Sequence, residues 1–155
     1  MELAVPLQTQ ALAARQVDAL LTVEPVITIA SSQGVSKILI ESPNLRYVSN
    51  PFYAGVGNVS TEFIAEHPQE YAKVVEVLSK ATKEINSNPE AARQFLVGFT
   101  PLTAELAKIV HLPVYKMYAD LTEKDIDAVQ KFIDVFVRYK VIENPITAKH
   151  LIYAK

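Results

Sequence analysis

The sequence predicts an α/β chain as far as about residue 60 and a helical one beyond it. Three observations carry that expectation. Val17-Asp18-Ala19-Leu20-Leu21-Thr22-Val23 is an apolar run of strand length, rich in β-branched residues. Lys37-Ile38-Leu39-Ile40-Glu41 is a second such run, closed by the turn formers Ser42-Pro43-Asn44. After Ser60, apolar residues recur at steps of three and four. The organisation read from this is residues 1–50 as helix-strand-helix-strand, and residues 51–155 as a crossover followed by helices.

Taken in order, Leu7 to Gln16 is predicted as a helix and Val17 to Val23 as a strand. Glu24-Pro25 ends the strand, because proline cannot donate to a ladder, and Pro25 suits the first turn of a short helix to Ser32. Gly34 is expected as its C-terminal cap. Leu45 to Tyr53 reads as irregular, and Phe52 to Val59 as extended, its two glycines marking a bulge or a close backbone approach. Ser60 is a candidate N-cap for Thr61 to Glu66. His67-Pro68 opens the longest helix, whose stripe is Tyr71, Val74, Val75, Leu78, Thr82 and Ile85. Asn88-Pro89 and Thr100-Pro101 are two further helix starts. Thr122-x-x-Asp125 is a capping box with Asp in place of the usual Glu, ahead of Ile126, Val129, Phe132, Ile133, Phe136 and Val137. Asn144-Pro145 starts a short final helix carrying Leu151 and Ile152.

Composition narrows the function. Half of the 155 residues are hydrophobic, about a fifth are charged, and the net charge is -2, which predicts a packed globule. Lys and Arg are spread without a basic stripe, against nucleic-acid binding. The chain has no Cys, which excludes disulfides, thiol nucleophiles and Cys-ligated metals. His67, His111 and His150 each lack a second ligand at helical spacing, so no metal site is expected. Gly55-Val56-Gly57 lacks the rest of a nucleotide-binding loop, and Ser31-Ser32 lacks a nucleophile elbow. No enzyme and no cofactor are expected. The first residues carry no basic start and no long apolar core, so no signal peptide is read there. Val17 to Ala30 is too short and too interrupted to cross a bilayer.

Ala11-Leu12, Gln16-Val17-Asp18-Ala19 and Glu24-Pro25 form one group of residues with a family likeness. Ser60-Thr61-Glu62-Phe63, Glu66-His67-Pro68, Asn88-Pro89-Glu90-Ala91-Ala92 and Leu121-Thr122-Glu123-Lys124-Asp125-Ile126 continue it. In order and spacing they resemble the C-terminal half of periplasmic substrate-binding proteins of the NitT/TauT type, which serve ABC importers. The resemblance implies part of a type II periplasmic-binding-protein-like fold, with 1–50 in the second lobe and 51–155 giving the crossover and the helices of the first. It implies a solute-binding component, or its C-terminal fragment, for a small polar compound such as a sulfonate, nitrate, taurine or a thiamine-precursor-like pyrimidine. It also implies a periplasmic or cell-surface location, closure of two lobes on the solute, and docking of the full-length protein on an ABC permease. A related group with a Cys-rich motif makes a thiamine pyrimidine precursor, and the absence of Cys speaks against that chemistry here.

By position in this family, Thr22, Glu24, Asn50, Phe52 and Tyr53 would line the ligand cleft. Two readings of Glu24 stay open: a carboxylate at a helix start, or a ligand-binding group at a strand end. Phe52 reads rather as a core aromatic, while the polar tip of Tyr53 suits either role. The ligand-binding set is therefore Thr22, Glu24, Asn50 and Tyr53. An acidic Glu24 fits a cationic or polar heterocyclic ligand better than an anion, which would need Arg, Lys or helix N-termini. The apolar helix faces after residue 60 predict a homo-oligomer. The alternative reading is a stand-alone, non-enzymatic interaction domain derived from the same fold, without a transport role.

Overall fold

The computed structural model describes residues 2–152, and among them it has nine α-helices and no sheet. The expected α/β, periplasmic-binding-protein-like fold is therefore corrected to an all-helical one. Among the described residues the one β-type pairing is an isolated bridge between Val97 and Thr100, with Gly98 between them. Neither expected strand forms: 14–25 and 33–42 are turns and irregular chain. Strand propensity reflects packing on a pleated neighbour rather than a backbone preference, and neither run has one. Leu21 is 75% exposed and Leu39 84%, so these apolar side chains face water instead of a second layer.

The chain divides into two compact units. The first comprises Met1–Leu39 and Glu84–Val114. It holds α1 (Val5–Ala13), which starts two residues before the expected helix and carries Pro6 in its first turn. α2 (Val26–Ser32) follows with Pro25 at its N-cap position. It ends as expected at Gly34, whose φ of 68° is a left-handed value that glycine adopts without strain. The Val35 N–H returns to the Ala30 carbonyl there.

The second unit comprises Ile40–Lys83 and Tyr115–Lys155. It begins with α3 (Pro43–Tyr47), a short helix where an irregular stretch was expected. Pro43 presets the first-turn φ and outweighs the turn-like composition. In α4 (Thr61–Glu66) the Ser60 hydroxyl accepts from the Phe63 N–H, as the sequence predicts. α5 (Pro68–Ser87), which belongs to this unit as far as Lys83, is the longest helix and has no buried residue.

Back in the first unit, α6 (Pro89–Ala92) is capped by Asn88 and continues into a 3₁₀ turn, Arg93–Leu96. α7 (Ala104–Ile109) is capped by Thr103 rather than starting at Pro101. Leu102, Ala107 and Val110 form the core of this unit, with Ile29, Leu96, Leu106 and Leu112 packed on it. In the second unit, α8 (Glu123–Arg138) has the full capping box of Thr122 and Asp125. Phe132 of α8 meets Phe52 edge-on at 4.9 Å and Phe136 at 4.6 Å, which puts Phe52 against α8 in the core role. α9 (Ala148–Leu151) begins later than Asn144-Pro145 suggests. It is tied to α8 by Gln130, which accepts from the Ala148 N–H and donates to the Ile146 carbonyl. Among the described residues no helix is long and apolar enough to cross a membrane.

Candidate functional site

Glu24 stands two residues ahead of α2, and its Oε2 accepts the Thr28 N–H at 3.1 Å. That bond satisfies one of the orphan donors of the helix start. The second carboxylate oxygen has no partner among the described residues. Ile27, Thr28, Ser31 and Ser32 recur along one face of α2 at helical spacing. Together with Ile38, Ile109 and His111 they and Glu24 line a cleft of about 320 Å³. The cleft lies wholly within the first unit. Its apolar part is three isoleucines, and its polar part is one carboxylate, three hydroxyls and one imidazole. Ser31, Ser32, Ile38, Ile109 and His111 are exposed, so the cleft is open to water.

The four ligand-binding candidates divide between the units. Thr22 belongs to the first, but its hydroxyl donates to Gln8 Oε1 and it does not line the cleft. Glu24 lines it. Asn50 and Tyr53 belong to the second unit. Asn50 is exposed, and the Tyr53 hydroxyl donates to Asp125 Oδ1 at 2.6 Å. The periodicity of Glu24, Ile27, Thr28 and Ser31 was legible in the sequence as one helix face. Ile38, Ile109 and His111 reach the cleft only through folding, and no local pattern announces them.

Asp125 is the most constrained polar group of the second unit. Its side chain is 3% exposed. Oδ2 accepts from Lys116 Nζ at 2.8 Å and from the Thr122 N–H and hydroxyl, both at 2.7 Å. Oδ1 accepts from Tyr53. The Lys116 ammonium, with Tyr53 and Thr122, holds the carboxyl well below the usual carboxylate range, overriding the opposing effect of burial. Burial, reinforced by the neighbouring carboxylate, pushes the Tyr53 phenol up to about 12. Every oxygen of this cluster is engaged by the protein itself, so it cross-links Tyr53, Lys116 and α8 rather than offering a ligand site.

Among the described residues no three His, Cys, Asp or Glu side chains gather as a metal-binding group. No protein-family model, curated protein or solved structure matches the chain.

Proposed function

We propose that the chain acts as a solute-binding component, or the C-terminal part of one, of an ABC importer for a small polar compound. The sequence likeness to NitT/TauT-type proteins supports this reading, and with it a periplasmic or cell-surface location. The observation that carries it is the Glu24 cleft: about 320 Å³, at the small end of ligand pockets, with an apolar wall and a few convergent polar groups. Among the described residues Glu24 is the only carboxylate lining it and no Lys or Arg does, so a cationic or polar heterocyclic solute, such as an aminopyrimidine, is favoured over nitrate, a sulfonate or taurine. No bond is broken in this role.

A thermal-shift screen with pyrimidines, taurine, sulfonates, nitrate and amino acids tests the reading. A ligand that binds only the folded state at 100 times its Kd adds about 2.7 kcal/mol. The expected result is a raised Tm with an amine or aminopyrimidine that disappears in Glu24→Gln. No shift with any solute, or a shift indifferent to that substitution, overturns it.

A second reading, a non-enzymatic interaction domain, is favoured by α5. Val74, Val77 and Leu78 are 48%, 64% and 51% exposed on a helix with no buried residue, and contiguous exposed apolar surface marks partner sites. Fluorescence of a hydrophobic dye that is lost in Val74→Asp/Val77→Asp supports it, and no dye binding at a concentration where the chain is monomeric overturns it.

A further inference from the structure

We propose that α5 is a self-association surface, on which the stripe Val74, Val77, Leu78 and Ala81 packs antiparallel against the same stripe of a second copy. The inference rests on the interaction-domain reading and names the partner. The spacing i, i+3, i+4, i+7 puts the four residues on one face, and all four are exposed. Tyr71, Val75 and Thr82, on the adjoining face, are half-buried, so the chain covers one side of the helix and leaves the next bare.

The stripe is centred between residues 77 and 78, which is also the midpoint of Pro68–Ser87. A two-fold axis through that point sets Val74 against the partner's Ala81, and Val77 against the partner's Leu78. Charge agrees with this arrangement. Lys73 and Glu84 share the flank beside the stripe, eleven residues apart, which is within about 20° of three full turns. They lie symmetrically about a point within one residue of the same axis. An antiparallel copy brings like flanks together and therefore each Lys73 to the other chain's Glu84, whereas a parallel copy would set this flank against the partner's opposite flank and leave both charges unmatched. Neither side chain has an ion-pair partner among the described residues, and Lys80 on the same flank is already paired with Glu76. A lipid surface fits less well: α5 carries three Lys and three Glu, without the basic excess of an interfacial helix.

One helix of about 30 Å gives a contact at the small end of specific interfaces, so a weak, micromolar dimer is expected. Sedimentation velocity from low to high micromolar concentration reads it. Lys73→Glu and Glu84→Lys should each weaken the dimer, and the double exchange should restore it. Val77→Asp, at an exposed position, should weaken it by at least about tenfold while the helical circular dichroism stays unchanged. Because the chain has no Cys, Val77→Cys should cross-link to itself on oxidation, and Glu76→Cys, on the polar face, should not. A monomer throughout the range, or a dimer indifferent to Val77→Asp and to the charge exchange, overturns the proposal. A monomer that still binds dye through the stripe removes the second copy as partner but leaves the interaction face. A monomer that binds no dye removes both.

Discussion

Asp125 shows how much a single side chain can organise. A buried carboxylate is tolerable only when its lone pairs are filled, and four donors fill them here. Removing it in Asp125→Ala leaves Lys116 and Tyr53 without their acceptor and takes from α8 the half of the capping box that returns to the Thr122 N–H. The expected loss is about 3 kcal/mol in denaturant unfolding. Tyr53→Phe removes one donor only and should cost about 1 kcal/mol. The pH dependence follows from the depressed carboxyl. Near neutral pH both states are ionised and its full stabilisation is present. As pH falls below the ordinary Asp value of about 3.9, the unfolded chain takes up the proton first and stability drops, until the folded carboxyl also protonates. Wild-type Tm should therefore fall between about pH 5 and pH 3 more steeply than that of Asp125→Asn. Equal slopes would show that the carboxylate is not stabilised by its partners. The capping role of this residue was readable from Thr122-x-x-Asp125, because that signal lies within one turn. Its bonds to Lys116 and Tyr53 were not, since Tyr53 lies 72 positions away.

At the scale of elements, short-range chemistry predicted the helices well where a cap and a stripe coincide. Ser60, Asn88 and Thr122 all cap as read. Of the three starts read from a polar residue followed by proline, Asn88-Pro89 held, whereas Thr100-Pro101 and Asn144-Pro145 did not: the N-cap position of α7 is Thr103 and that of α9 is Thr147. Arg93 was not singled out in the sequence. Its Nη1 donates to the carbonyls of Ala107 at 3.0 Å and Val110 at 2.6 Å, satisfying the open C-terminal end of α7. Arg93→Ala should cost about 2 kcal/mol, whereas Val77→Lys on the bare face of α5 should stay within about 0.5 kcal/mol. Chemical denaturation of both variants checks the contrast. The two strand expectations failed for one reason. An apolar run and β-branching describe a side chain's fit to a neighbouring strand, and a ladder also needs that neighbour.

For the whole molecule, surface is the telling quantity. The chain exposes 11976 Å², while two separate folded globules of the units' sizes would together expose about 9,400 Å². The buried apolar residues are mostly small: Ala11, Ala30, Ala107, Ala128 and Ala148 stand beside Val26, Leu102, Val110 and Ile133. Phe95, Phe99 and Leu39 meanwhile remain 69%, 89% and 84% exposed. Far-ultraviolet circular dichroism should show a helical spectrum, and the amide I band should lack a sheet component. A strong sheet signal from the chain alone would reinstate the strands at Val17–Val23 and Lys37–Glu41.

By itself the sequence determined where most helices run, three of their caps and the Gly34 stop, because these depend on residues within about a turn of one another. It also determined that no thiol chemistry is available. Only the tertiary structure decided that the apolar runs before residue 42 find no ladder, that Glu24 opens onto a cleft completed by Ile109 and His111, and that Tyr53 is held by Asp125. Those outcomes depend on which distant segments meet, and loop closure over tens of residues leaves no periodicity in the chain to read.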